Sequence, residues 1–132
     1  MQCYVTYPDL YIYGAEDNAC NHTIYCINLA TFDIRPIQPT KEHGPQGRVN
    51  PWSFFSDSRL YITGGTGKSE KEADSLMWTY TIDNGYWFAL EFSSEGPQLD
   101  ASAVNCEYEN GKVISICNNR LYLVELYQSR AR

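Results

Sequence analysis

The chain repeats itself with a period of about 50 residues, and this feature limits its possible folds more than any other. Three stretches share one pattern: a short turn, then an apolar strand, then a pair of small or turn-forming residues. They are "PDLYIYGA" at 8–15, "SRLYITGG" at 58–65 and "GKVISICN" at 111–118, so the offsets are 50 and 53 residues. Such a period indicates a repeat architecture, in which each small unit buries its faces against its neighbours.

A second apolar segment follows the first in every unit, so each unit contains at least two strands. These segments are "IYCI" at 24–27, "MWTY" at 77–80 and "LYLV" at 121–124. The chain of 132 residues has eleven tyrosines and three tryptophans, and few segments rich in alanine, leucine and glutamate. Aromatic and β-branched residues fit the pleated surface of a sheet. We therefore expect an all-β protein.

Two of the units carry a further pair of apolar residues at one spacing. Ile27 is followed seven residues later by Ile34, and Tyr80 is followed seven residues later by Trp87. With this third element, a unit has about four short strands in about 50 residues. Such a unit is typical of a propeller blade.

The middle unit resembles a kelch repeat. Kelch blades begin with an arginine-containing loop and continue through strand a, a turn and strand b, which ends in Gly-Gly. Strand c then ends in an aromatic residue, and strand d carries a tryptophan. The segment "RVNPWSFFSDSRLYITGG" at 48–65 has the length and order of the first half, and Tyr80 and Trp87 stand at the aromatic and tryptophan positions of the second.

The flanking units have other residues at the positions of the kelch signature. Gly14-Ala15 and Cys117-Asn118 stand in place of Gly-Gly, and the isoleucines at the seven-residue spacing replace the aromatic pair. If the three units are equivalent, then Gly14, Gly64 and Cys117 must occupy equivalent positions in three successive sheets.

The resemblance implies an all-β fold, a segment of a kelch-type β-propeller made of antiparallel four-stranded blades. Its expected parts are a partial blade at 1–40, a full blade at 46–92 and a partial blade at 98–128. Propellers contain roughly four to eight blades. We therefore expect other blades, from a longer chain or from a second chain, to complete the ring. The alternative fold is a β-sandwich or a small barrel.

Six residues are expected to hold the repeat together. A sharp turn where neighbouring blades crowd together needs glycine, which tolerates positive φ and close backbone approach. Large aromatic side chains fill the space between adjacent blades, although a ligand platform is an alternative role for them. The predicted structural repeat positions are Gly14, Ala15, Gly64, Gly65, Tyr80 and Trp87.

A phosphate-binding loop is an alternative interpretation of the sequence around the Gly-Gly pair. Gly67-Lys68-Ser69 matches the last three positions of the P-loop signature, but Ile62 occupies the position of its first glycine. A P-loop also needs a helix after the loop, whereas "SLMWTYTI" at 75–82 is typical of a strand. We therefore predict no nucleotide site and no bound cofactor.

The charge of the chain argues against nucleic acid as a partner. The net charge is −6 and there is no dense cluster of lysine and arginine, whereas binding to a phosphate backbone needs concentrated positive charge. No apolar run is long enough to span a membrane, and residues 1–10 do not resemble a signal peptide. We expect no membrane association and an intracellular location, in the cytoplasm.

The cysteines fit a reducing compartment. There are five, they follow no C-x-x-C spacing, and some lie in apolar stretches such as "IYCI" and "ISIC". We expect buried free thiols.

Candidates for catalysis are few. His22 and His43 are the only histidines, and neither has metal-ligand spacing to a cysteine or to the other histidine. No serine lies in a G-x-S-x-G turn. We predict no catalytic residue, no metal site and no enzyme activity. The alternative is a propeller enzyme or a carbohydrate-binding domain of the galactose-oxidase-like type.

Polar loops are the features that best suit recognition. Three long ones lie at 15–22, 39–48 and 66–75, and they differ from one another in length and sequence. Loops on a rigid scaffold are where recognition residues concentrate, and in the kelch family such loops bind other proteins. We expect a non-enzymatic protein-binding module or scaffold, such as a substrate-recognition or assembly subunit. The candidate partner-binding residues are Lys68, Glu70, Lys71, Glu72 and Asp74.

Two apolar segments should need neighbours. "RLYLVELYQ" at 120–128 is too apolar for a free sheet edge, and "QCYVTY" at 2–7 has no preceding blade to pack on. Exposed apolar edges and faces favour association. We therefore expect that the chain is not a stable isolated monomer.

Overall fold

The computed structural model shows that the chain is built from strands. Within the described residues every regular element is a β-strand, and the strands form three antiparallel sheets. The all-β class expected from the repeats is confirmed, and the described strands do not close into a barrel. The described residues are 2–14, 23–37, 45, 47–66, 76–91 and 99–126.

Each sheet is a meander, in which strands that follow one another in the chain pair side by side. The first sheet contains β1 (Gln2–Thr6), β2 (Asp9–Tyr13), β3 (Ile24–Asn28) and β4 (Ile34–Ile37). The second sheet contains β5 (Trp52–Ser56), β6 (Arg59–Thr63), β7 (Met77–Thr81) and β8 (Tyr86–Leu90). The third sheet contains β9 (Val104–Glu109), β10 (Lys112–Cys117) and β11 (Arg120–Glu125).

The three sheets begin with equivalent hairpins, and the third also carries a bulge in its first strand pairing, beside Lys112. The first two strands of each sheet are joined by a two-residue turn, closed by the pairs Thr6 with Asp9, Ser56 with Arg59, and Glu109 with Lys112. Counting five residues onward from the second member of each pair reaches Gly14, Gly64 and Cys117. The structure therefore places these three residues at equivalent positions in the three sheets.

The seven-residue spacing corresponds to pairs of residues on neighbouring strands. Tyr80 lies directly opposite Trp87, and Ile27 lies directly opposite Ile34. The Tyr80 and Trp87 rings are 5.1 Å apart between centroids, a favourable distance for an aromatic pair. Tyr80 is buried between the first and second sheets, and the partly buried Trp87 packs against the same core.

The sheets pack face to face in chain order. We call the side that carries Tyr11, Tyr61 or Ile114 the front face of its sheet, and the other side the back face. One apolar core lies between the front face of the first sheet and the back face of the second, with Tyr11 and Leu60 among its members. A second core lies between the front face of the second sheet and the back face of the third, with Tyr61 and Val113. Each contact is therefore front to back.

Hydrogen bonds from β5 to β9 and β10 accompany the second apolar core. Trp52 is completely buried, and its indole Nε1 donates to Asn105 Oδ1 at 2.9 Å and to Ser115 Oγ at 3.2 Å. Ser56 Oγ donates to Glu107 Oε2 at 2.6 Å. These bonds hold β5 beside β9 at the interface of the second and third sheets.

The segment that precedes β5 is held against the Gly-Gly pair. Arg48 is buried and its Nη1 donates to the Gly64 carbonyl at 3.2 Å. Val49 and Thr66 exchange two backbone hydrogen bonds, of 2.7 and 3.0 Å. Gly65 lies beside them with a φ of 79°, and a Cβ there would be 2.6 Å from the Val49 carbonyl oxygen. Only glycine fits this position without displacing the backbone.

We expect Gly65→Ala to destabilise the protein more than Gly85→Ala does. Both glycines have positive φ, which costs an alanine about 1–2 kcal/mol. A Cβ at Gly85 has only the Tyr80 hydroxyl near it, at 3.7 Å, so this variant reports the backbone cost alone. Gly65→Ala should lower the free energy of unfolding by about 1–3 kcal/mol more, because its Cβ also clashes with Val49. Urea unfolding of the two variants gives the difference, and equal losses would show that close approach does not matter at Gly65.

Candidate functional site

The two ends of the sheets differ in the length of the connections they carry. At one end, which we call the hairpin end, the turns at 7–8, 57–58 and 110–111 join the first two strands of each sheet. The opposite end, which we call the loop end, carries the connections between sheets and the long connections inside the first two sheets. These are at 14–23, 38–51, 64–76 and 91–103.

The predicted partner-binding residues belong to the β6–β7 connection at the loop end. Lys68, Glu70, Lys71, Glu72 and Asp74 lie outside the described residues, as do Ala15, His22 and His43. The base of the connection is described: Thr63 Oγ1 donates to the Leu76 carbonyl at 3.0 Å. This bond holds the two ends of the connection together.

The third sheet lacks a long connection at this position. β10 and β11 are joined by Asn118 and Asn119, which have φ values of 53° and 61°. Two successive residues with positive φ are typical of a tight hairpin turn, and asparagine tolerates this conformation well. Long connections within a sheet are therefore restricted to the first and second sheets.

A polar cleft of about 260 Å³ lies on the front face of the first sheet, at the hairpin end. Asp9 lies opposite Asn28, and Cys26 lies opposite Arg35 in the strand register. The turn after β3 is ordered by Asn28, whose Oδ1 accepts hydrogen bonds from the backbone amides of residues 30 and 31. The residues lining the cleft are Asp9, Cys26, Asn28, Thr31, Asp33 and Arg35.

Two buried tyrosines lie near this cleft and remain protonated at neutral pH. Burial raises the pKa of Tyr11 to about 12, with further contributions from Cys26 and Asp9, while Arg35 opposes the increase. Burial also raises the pKa of Tyr80, which belongs to the facing sheet. Protonated phenols can donate hydrogen bonds, but neither serves as a base at neutral pH. Neither tyrosine is among the residues that line the cleft.

The described residues contain no group of three or more histidine, cysteine, aspartate or glutamate side chains placed to hold a metal ion. In the same part of the chain, no helix has the length and apolar character needed to cross a bilayer.

The four cysteines in the described residues fall into two classes, and Cys20 lies outside those residues. Cys26 and Cys117 are free and buried, as expected for thiols in apolar strands. Cys3 and Cys106 are free but exposed, because each lies on the outer face of an outer sheet. The expectation of buried thiols is therefore correct for the first pair and wrong for the second.

Both outer faces of the stack are largely apolar. The outer back face is the back of the first sheet, and its paired positions are uncharged: Cys3, Val5, Leu10, Ile12, Tyr25, Ile27, Ile34 and Pro36. The outer front face is the front of the third sheet, and it carries Val104, Cys106, Ile114, Ile116, Leu121 and Leu123. Its charged pairs, Lys112 with Glu109 and with Glu125, lie together at the hairpin end. The rest of that face is therefore apolar.

No protein-family model matches this chain, and a search of curated proteins finds no match either. Functional inference therefore rests on the fold and on its surfaces.

Sequence reasoning missed the polar cleft and the extent of the two outer faces. The signal was present as period-two alternation, since Asp9, Tyr11 and Tyr13 share one face of β2 while Leu10 and Ile12 share the other. Alternation shows which residues lie together, but it does not show which face is covered by another sheet.

We expect the stability of the protein to fall as pH rises from 10 to about 12, partly because of Tyr11. Below pH 10, both the folded and the unfolded chain keep the Tyr11 proton; above it, the unfolded chain loses the proton first, because the folded pKa is about 12 rather than 10. Deprotonation then favours unfolding. Tyr11→Phe should make this fall shallower, as measured by urea unfolding from pH 8 to pH 12.

Tyr86→Phe is the matched control, because it removes an exposed phenol. It should leave the pH dependence unchanged. Parallel curves for the protein and for Tyr11→Phe would contradict the assignment.

Proposed function

We propose that this chain is a segment of a kelch-type β-propeller and that it acts as a protein-binding module rather than as an enzyme. One observation carries the architectural part: three successive sheets share a strand order and begin with equivalent hairpins, and they pack front to back. Repetition of one sheet in this way is how a propeller is built.

The residues of the kelch resemblance support this assignment through their contacts. The buried Arg48 donates to the Gly64 carbonyl, and Gly65 lies where a side chain would strike the Val49 carbonyl. Tyr80 and Trp87 pack against the core between the first two sheets. All of these contacts hold a sheet to the segment that precedes it or to its neighbour, which is the role expected of repeat signature residues.

The binding part of the proposal rests on the arrangement of connections. A rigid stack that carries its long connections at one end can vary them without disturbing its cores, and recognition residues concentrate in such loops. The β6–β7 connection contains both signs of charge, with Lys68 and Lys71 beside Glu70, Glu72 and Asp74. Mixed charge of this kind is suited to a complementary protein surface.

Free thiols at four described positions support a location inside the cell as part of the same proposal. Thiols persist in reducing compartments, whereas paired cysteines are typical of secreted domains.

We expect charge reversal in the β6–β7 connection to weaken partner binding. Glu70→Lys or Glu72→Lys removes an ion pair at the rim of the interface, which corresponds to about a fivefold loss of affinity. The tagged chain is used to capture proteins from a cell extract, and quantitative mass spectrometry measures the captured amounts. Asp83→Lys is the matched control, because it makes the same charge change in an exposed turn at the hairpin end.

Two results would contradict the proposed function. One is equal capture of every protein by the loop variants and by the control. The other is a metal or cofactor in the purified protein together with turnover of a sugar substrate, which would favour the galactose-oxidase-like alternative.

A further inference from the structure

The outer faces are equivalent to faces that are buried inside the stack. On the outer front face, Val104 is 69% exposed, whereas its equivalent in the second sheet, Trp52, is completely buried. On the outer back face, Val5 is 58% exposed, whereas its equivalent, Phe55, is 8% exposed. The same apolar positions are therefore covered wherever a neighbouring sheet is present.

The two outer faces are also of the two types that pack together inside the stack, one front and one back. Both observed interfaces join the front face of one sheet to the back face of the next, and the described chain has one outer face of each type. The paired positions of the outer back face are uncharged, and charge on the outer front face is confined to its hairpin end. In the whole chain, by contrast, 20% of the residues are charged. Depletion of charge is characteristic of the centre of protein interfaces.

We propose that a second copy of this chain occupies these faces, so that two copies form a closed ring of six sheets. The outer front face of each copy packs on the outer back face of the other. This inference depends on the propeller architecture proposed above, but not on the role of the β6–β7 connection.

The number of sheets that close a propeller favours two copies. A head-to-tail contact produces either a closed ring or an open filament, depending on the rotation per step. Propellers close with roughly four to eight sheets. Two copies supply six sheets, counting the three in the described residues of each copy, whereas three copies supply nine. A ring of two copies also leaves neither apolar outer face in solvent.

The observed interfaces predict which residues meet between copies. Trp52 of the second sheet contacts Asn105 of the third, and the equivalent pair between copies is Val104 with Cys3. Similarly, Tyr4 stacks on Phe55 with ring centroids 5.8 Å apart. The equivalent pair between copies is Cys106 with Val5. Each predicted pair contains one native exposed cysteine.

Crosslinking with a short bismaleimide tests these pairs, because its spacer joins side chains that lie too far apart for a direct disulfide. Val104→Cys should be joined to Cys3 of the other copy, and Val5→Cys to Cys106, when the two thiols of a pair each add to one double bond of the reagent. Both replaced valines are exposed, so neither variant disturbs a core. We expect a covalent dimer in non-reducing electrophoresis. Two controls should remain uncrosslinked. One combines Val104→Cys with Cys3→Ser, and the other is Tyr86→Cys at the exposed hairpin end.

Sedimentation measures the assembly without crosslinking. The unmodified chain should sediment at about 30 kDa, twice its 15.1 kDa mass. Leu121→Glu places a charge on the outer front face, where the residue is 66% exposed in one copy. It should increase the dimer dissociation constant at least about tenfold. Circular dichroism establishes that this variant keeps its strands.

Several outcomes would overturn the inference: a folded monomer, a Cys3–Cys3 crosslink, or a ladder of species larger than a dimer. A folded monomer that still captures proteins through the β6–β7 connection would overturn the ring and leave the proposed binding function intact. A trapped dimer whose capture of proteins does not depend on the β6–β7 connection would support the ring and contradict the proposed binding function.

Discussion

Front-to-back packing of sheets is the constraint on which the rest of the structure depends. A meander of three or four short strands has two faces, and it can bury one only by placing another sheet against it. In β6, the adjacent residues Leu60 and Tyr61 point in opposite directions, and both are buried because the second sheet has a neighbour on each side. Apolar residues on both sides of one strand are therefore useful only within a stack.

The same constraint explains which parts of the fold could be predicted from sequence. The strands and their equivalence follow from local alternation and from offsets, so Gly14, Gly64 and Cys117 could be aligned from the order of residues alone. The seven-residue spacing likewise identified Tyr80 and Trp87 as neighbours, because a short hairpin brings such residues into register. These are properties of one unit, and one unit is contained in one stretch of sequence.

Features that depend on contacts between sheets were harder to predict from the sequence. The hydrogen bond from Trp52 to Asn105 joins the second sheet to the third, and Tyr80 of the second sheet packs in a core with residues of the first. The repeat spacing also changes, from 50 residues between the first two units to 53 between the second and third. Two extra residues precede β9, and a bulge near Tyr108 adds one more. None of these follows from the alternation of a single strand.

The placement of the long connections at one end has a consequence for affinity. In a two-copy ring the two-fold axis coincides with the ring axis, so the loop ends of both copies face the same side. A partner that carries two recognition segments could then engage both copies at once, and the second contact would form at the high effective concentration created by the first. Weak individual contacts would become a tight bivalent attachment, and avidity would be a property of the ring rather than of either chain.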